Sequence, residues 1–353
     1  MDMGFGGTYG KQHVGRIVKT SGVLSIALAL FFAAIHTSIA KPKSSTVEPM
    51  PHGNPVIGSK LPVFVPFDLW NGLIALRATI GTNTPQIALL TTSLPVNLIN
   101  TTIAVNFKIP SVGETSMPVM DQIIKAPSTA AQTVHIGDLT IEKAPFAIFN
   151  LIDYLEAKSN TDAPGLWLSL STLGVNMVTI DPVAHMVTFH APTDSLPAHA
   201  MIIPFQWKDG RMWVKATVNG KKTFEAVLDL GTAGILLPTV AAAPLRMKPL
   251  EISDVVDTSG RSYQMISVQM SKLEIGKSKL ENLPAYYVIG EKKGGFDPKF
   301  GIIGADYLLH FRSTIDFAKH EIALEPYGLG NAPQAPTAPS QTQKRDFPHH
   351  PDK

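Results

Sequence analysis

From about residue 61 onward, short runs rich in Val, Ile, Leu, Phe and Thr alternate with Gly, Asn, Asp and Pro at roughly ten-residue spacing. Runs of that length between turn formers predict mostly antiparallel β-strands, so the chain reads as all-β. One helix turn per half is expected, following a hydrophobic-hydrophobic-Gly element such as Ile302-Ile303-Gly304. Asp306 falls in the first turn of that helix, where an acid suits the helix dipole. Asp181 and Asp316 end strands before the turns Pro182–His185 and Phe317–His320. All three acids read as structural.

The same pattern is written twice. Pro66-Phe67 matches Pro204-Phe205, Gly72 matches Gly210, and Ala78-Thr79-Ile80 matches Ala216-Thr217-Val218, all at the 138-residue offset that separates Pro66 from Pro204. Ile136-Gly137 to Pro145 aligns with Ile275-Gly276 to Pro284, and Thr179-Ile180-Asp181 answers Thr314-Ile315-Asp316. An internal duplication holds this register, and it predicts two similar β-barrel-like lobes, residues 61–195 and 200–327, with a cleft between them.

Within the second half, Ala226-Val227-Leu228 ends on Asp229, and Leu230-Gly231-Thr232-Ala233-Gly234 leads back into apolar residues. One carboxylate is thereby presented at a strand tip. Together with Ile302-Ile303-Gly304, this run resembles the retropepsin/pepsin-like aspartic peptidases. That family carries Asp-Thr/Ser-Gly in a strand-loop, supported by a later two-hydrophobic-then-Gly element. The resemblance implies a catalytic role for Asp229, a catalytic loop of Leu230, Gly231 and Thr232, and a supporting motif of Ile302, Ile303 and Gly304. Leu230 departs from the family's Thr or Ser. The stretch Val256-Asp257-Thr258-Ser259-Gly260 reads as a hairpin turn, not as a second Asp-Thr-Gly. By resemblance it is a flap, with Ser259, Gly260 and Tyr263, that would cover a ligand in the cleft.

Aspartic peptidases place one Asp from each lobe about 3 Å apart, and the pair shares a single proton. The duplication puts Thr91 where the first lobe's acid should stand, Thr92 opposite Leu230, and Ser93 in place of the loop Gly. The first-lobe counterpart of the supporting element, Gly165-Leu166-Trp167-Leu168-Ser169, lacks its second Gly. A threonine hydroxyl cannot replace a carboxylate, and a loop without Gly is expected to have changed shape. Thr91 or Thr92 is expected to hydrogen-bond Asp229, and Thr92 to link the two loops from its own side.

Composition narrows the function further. With 30 basic and 28 acidic residues there is no field suited to nucleic acid, and the 11 histidines show no metal-ligand spacing. Nothing calls for a cofactor. The basic leader with Lys11, Arg16 and Lys19, the apolar run from about Val23 to Ala34, and Ser38-Ile39-Ala40 together predict a signal peptide over 1–40, cleaved after Ala40. Retention as an anchor is the alternative, although His36, Thr37 and Ser38 interrupt the apolar run. The expected destination is secretion or a periplasm. With no cysteine, an exported chain must rely on its hydrophobic cores. Residues 41–60 and the Pro-rich 328–353 read as disordered linker and tail.

Two functions follow. One is an acid endopeptidase that binds extended peptides between the lobes and uses Asp229. The other is an inactive pseudo-peptidase that binds a peptide or protein without cutting it. In either case a monomeric pseudo-dimer is expected over a homodimer.

Overall fold

The computed structural model describes residues 56–119, 122–150, 164–256, 262–289 and 299–327. The expected signal segment, most of the expected linker, the Pro-rich tail, and Ser259 and Gly260 lie outside the described residues. The linker's last residues carry structure that its composition did not suggest. Val56–Ile57 adds a short strand beside Leu139–Ala144, and the Gly58 N–H donates to Thr140 O at 2.8 Å.

The described strands form two lobe sheets and a third sheet that joins them, which is the two-lobed pepsin-like all-β fold. Both lobes contain one motif. In the second, Gly301–Gly304 lies between Lys222–Asp229, its parallel neighbour, and Ile235–Leu236, its antiparallel neighbour. In the first, Leu166–Ser169 lies in the same way between Gln86–Thr91 and Asn97–Asn100. The register pairs Asp229 with Gly304, and Thr91 with Ser169.

Lys222–Asp229 begins exposed and ends wholly buried, because its last residues run between two strands with side chains packed on both faces. Leu228, Leu230 and Ile303 all join the main core there, each contributing about 2 kcal/mol on burial. The expected helix turns are present as Ala305–Leu308 and, in the first lobe, a 3-10 turn at Leu170–Thr172. Two further short helices, Thr101–Asn106 and Thr239–Ala242, follow the third strand of each motif. The first is capped by the Asn100 side chain, which accepts from Thr102 N.

Six strands make the joining sheet, three from each half: Met201–Pro204, Glu321–Pro326, Phe311–Asp316, Met177–Asp181, Met186–Phe189 and Val63–Pro66. At its middle the repeated tripeptides meet at their first residues. Thr179 is opposite Thr314, and their hydroxyls are 2.7 Å apart. Asp181 and Asp316 cap the turns that follow, each accepting two backbone N–H groups at 2.9–3.1 Å.

The lobes also exchange hairpin tips. The turns Asn71-Gly72 and Asp209-Gly210 both have positive φ, the conformation a two-residue hairpin needs. A Cβ on Gly72 would lie 3.4 Å from Ala233 Cβ, and one on Gly210 would lie 3.1 Å from Pro95 Cβ. Each lobe's first hairpin therefore rests on the other lobe's loop. In the second lobe, Pro249–Val256 and Ser262–Ile275 pair as the arms of the expected flap, with Tyr263 opposite Val255. The matching first-lobe hairpin, Ser111–Val119 with Gln122–Thr129, was not foreseen.

Candidate active site

Asp229 closes its strand 8% exposed, between the two loops. Its Oδ1 accepts from Thr91 Oγ1 at 2.8 Å and Gly231 N at 2.8 Å, with Thr92 N at 3.4 Å. Its Oδ2 accepts from Thr232 Oγ1 at 2.9 Å. A carboxylate this buried would be costly without donors, and charge-assisted hydrogen bonds offset that cost. The expected Thr91 contact is present. Thr91 Oγ1 also accepts from Ser93 N at 3.2 Å, so the hydroxyl is held from behind while its proton points to Asp229.

Thr92 links the loops. Its hydroxyl donates to Leu228 O at 3.0 Å and accepts from Leu230 N at 3.2 Å, tying the first-lobe loop to the strand end that carries Asp229. Leu230 returns no such bond; its side chain is fully buried in the core. The crossing is one-sided.

The loops meet so closely that two glycines have no room for a side chain. A Cβ on Gly231 would stand 2.9 Å from both Thr91 Cβ and Thr91 Oγ1. One on Gly304 would stand 2.1 Å from Thr232 O. Instead the backbone after Ile302-Ile303 passes directly beneath the loop. Gly304 N donates to Gly234 O at 3.0 Å, Ala305 N to Thr232 O at 2.6 Å, and Asp306 N to Ala233 O at 3.1 Å.

The first lobe has rebuilt this support. At the Gly304 position, Ser169 donates its hydroxyl to Leu94 O, and its N–H donates to Asn97 Oδ1 at 2.9 Å. Ser93 and Ser169 therefore replace both glycines of the intact lobe, with a loop bent through Leu94 and Pro95.

Arg211 was missed by sequence reasoning. It begins the strand Arg211–Val218, one position beyond the Met212–Leu228 pair, and so lies beside Asp229. The guanidinium is 5.5 Å from the ring centres of both Trp213 and Phe300, and such stacking is favourable. Burial lowers its pKa, opposed by Asp209 and then by Asp229. A lone Arg two residues before a Trp carries no sequence signal, because its importance depends on which strand lies next to it.

Asp306 lies in the first turn of Ala305–Leu308, as expected. Its carboxyl is half-buried, and desolvation pushes its pKa up to about 7. Among the described residues, no three His, Asp or Glu converge as a metal site would need.

Two lobes with this strand-loop motif, closing on an Asp-bearing loop, define a retropepsin/pepsin-like aspartic peptidase architecture. Residues 214–307, within the second lobe, match the family described as aspartyl protease. No curated protein matches the chain. Among solved structures, an aspartic proteinase from Irpex lacteus is similar over 76% of this chain and 98% of its own, with 14% identity and a TM-score of 0.47.

Proposed function

We propose that this chain is exported and acts as a pseudo-peptidase, holding an extended peptide or a protein segment between its lobes without hydrolysing it. One observation carries the reading: Thr91 Oγ1 stands 2.8 Å from Asp229 Oδ1, where the second carboxylate would have to be. Amide hydrolysis by this architecture needs one acid to take a proton from water while the other gives one to the carbonyl oxygen. A Thr hydroxyl does not ionise in the working pH range, and here its proton is committed to Asp229. Loss of a general acid alone typically costs about 10²–10⁴-fold in rate.

Export is supported by the basic leader, the apolar run and Ser38-Ile39-Ala40. What favours the competing reading, acid endopeptidase action through Asp229, is that the second-lobe loop keeps Gly231, Thr232 and the Ile302–Gly304 support. It would need a second acid from another chain, and the tethered first lobe competes for that position at an effective concentration on the order of millimolar.

The test incubates the chain without residues 1–40 with a mixed peptide library across acidic to neutral pH, beside Asp229→Asn, and reads cleavage by mass spectrometry and retention by pull-down. Retained, uncut peptides support the proposal. Cleavage that disappears in Asp229→Asn overturns it in favour of the endopeptidase.

A further inference from the structure

We infer that the Asp306 carboxylate is a specificity group for the bound peptide, accepting the ammonium or guanidinium of a Lys or Arg side chain. This rests on the proposed use of the space between the lobes as a peptide site.

Position comes first. Asp306 follows the supporting element directly, and its N–H bonds to Ala233 O of the Asp229 loop. A Cβ placed on Gly72 would be 3.7 Å from Asp306 Oδ1 and 3.4 Å from Ala233 Cβ. The carboxylate therefore sits where the second-lobe loop meets the first lobe's hairpin tip, at the seam between lobes.

The second observation is its lack of compensation. The other part-buried or buried acids at matched positions are well supplied. Asp229 accepts from two hydroxyls and Gly231 N, Asp181 from Val183 N, Ala184 N and the Tyr327 hydroxyl, and Asp316 from Ala318 N and Lys319 N. The Asp306 carboxylate makes no hydrogen bond or ion pair with any described residue. Burial alone raises its pKa, with no cation opposing the rise. The ionisable group shown to feel its charge, Tyr286 on Ser278–Ile289, adds no positive charge. Gly72 and Ala233, packed against it, add none either.

A cation reaching this carboxylate would replace lost hydration with a charge-assisted hydrogen bond. Peptide side chains that carry one are Lys and Arg. Only the ionised acid serves, so affinity for such a side chain rises as pH rises through about 7.

The experiment compares peptides that differ only by Lys against norleucine, walked along one neutral sequence, binding the wild type and Asp306→Asn. Asn keeps the size and removes the charge, and circular dichroism confirms folding. The expected result is about tenfold tighter binding of the best Lys peptide over its norleucine twin above neutral pH. The preference shrinks in mild acid and is absent in Asp306→Asn, while norleucine peptides bind both proteins equally. Equal binding of Lys and norleucine peptides by the wild type overturns the inference, as does an Asp306→Asn that loses both alike.

A second arm separates this from failure of the peptide reading. Should no peptide bind, the Asp306 side-chain carboxyl carbon is followed by NMR against acetyl-lysine amide and acetyl-norleucine amide. A saturable shift with lysine alone supports the carboxylate's role, and no shift overturns it.

Discussion

Thr91 donates to Asp229 across 2.8 Å from the position that the duplication assigns to a second acid. Thr91→Asp would therefore place two carboxylates at hydrogen-bond distance, and they must share a proton. We expect this single change to produce acid-optimum cleavage of a fluorogenic peptide where the wild type gives none. A folded but inert Thr91→Asp would show that the rebuilt Ser93–Pro95 loop, and not the missing acid alone, blocks catalysis.

Thr92 serves two backbone groups with one hydroxyl. Thr92→Val leaves Leu228 O and Leu230 N buried without it, and we expect a loss of about 1–3 kcal/mol. Chemical denaturation measures this. Little or no loss would mean that the loops are held mainly by packing around Leu230.

Gly304→Ala must fit a methyl group 2.1 Å from Thr232 O, within a strand bonded on both sides. The backbone would have to move, at an expected cost of about 3 kcal/mol or more. Gly113→Ala, whose nearest neighbour would be Ser128 Oγ at 3.4 Å, is the control and should change stability little.

Asp306 gives a pH dependence of definite sign. Its folded pKa is about 7, and an unfolded Asp titrates near ~3.9. Between those values the folded chain binds more protons than the unfolded one, so this group's contribution to stability falls as pH rises and then levels off above 7. Asp306→Asn lacks that fall. Its stability should match the wild type near pH ~4 and exceed it by about 1–2 kcal/mol above neutrality, after allowance for solvent screening. Thermal melts across pH decide it.

Much of the architecture was legible because it was written twice. The matched Thr179–Asp181 and Thr314–Asp316 runs each gave a strand that ends in a turn-capping acid, and the structure pairs their first residues. The strand-tip position of Asp229 was legible too, as was a hydrogen bond to it from Thr91 or Thr92, which the structure gives to the Thr91 hydroxyl. The hairpin Ser111–Val119 with Gln122–Thr129 was not. Its prolines and Gly113 blur the alternation, and its pairing shifts register between Ser111 and Gly113. Arg211 and the burial of Asp306 escaped for another reason: what sets these residues apart is desolvation and the neighbours that the fold brings to them, which no local pattern records.

The pairing of Thr179 with Thr314 also bears on what each half is worth alone. Severing the chain between 195 and 200 would strip Phe311–Asp316 of its partner and leave a ribbon of unanswered amides and carbonyls on one side. A solitary second half, residues 200–327, is a poor monomer. The nearest surface that fits its open edge is another copy of itself, in the geometry that would set one Asp229 opposite another. Fusion thus occupies that edge from within the same chain, and size-exclusion chromatography of residues 200–327 alone should show a dimer.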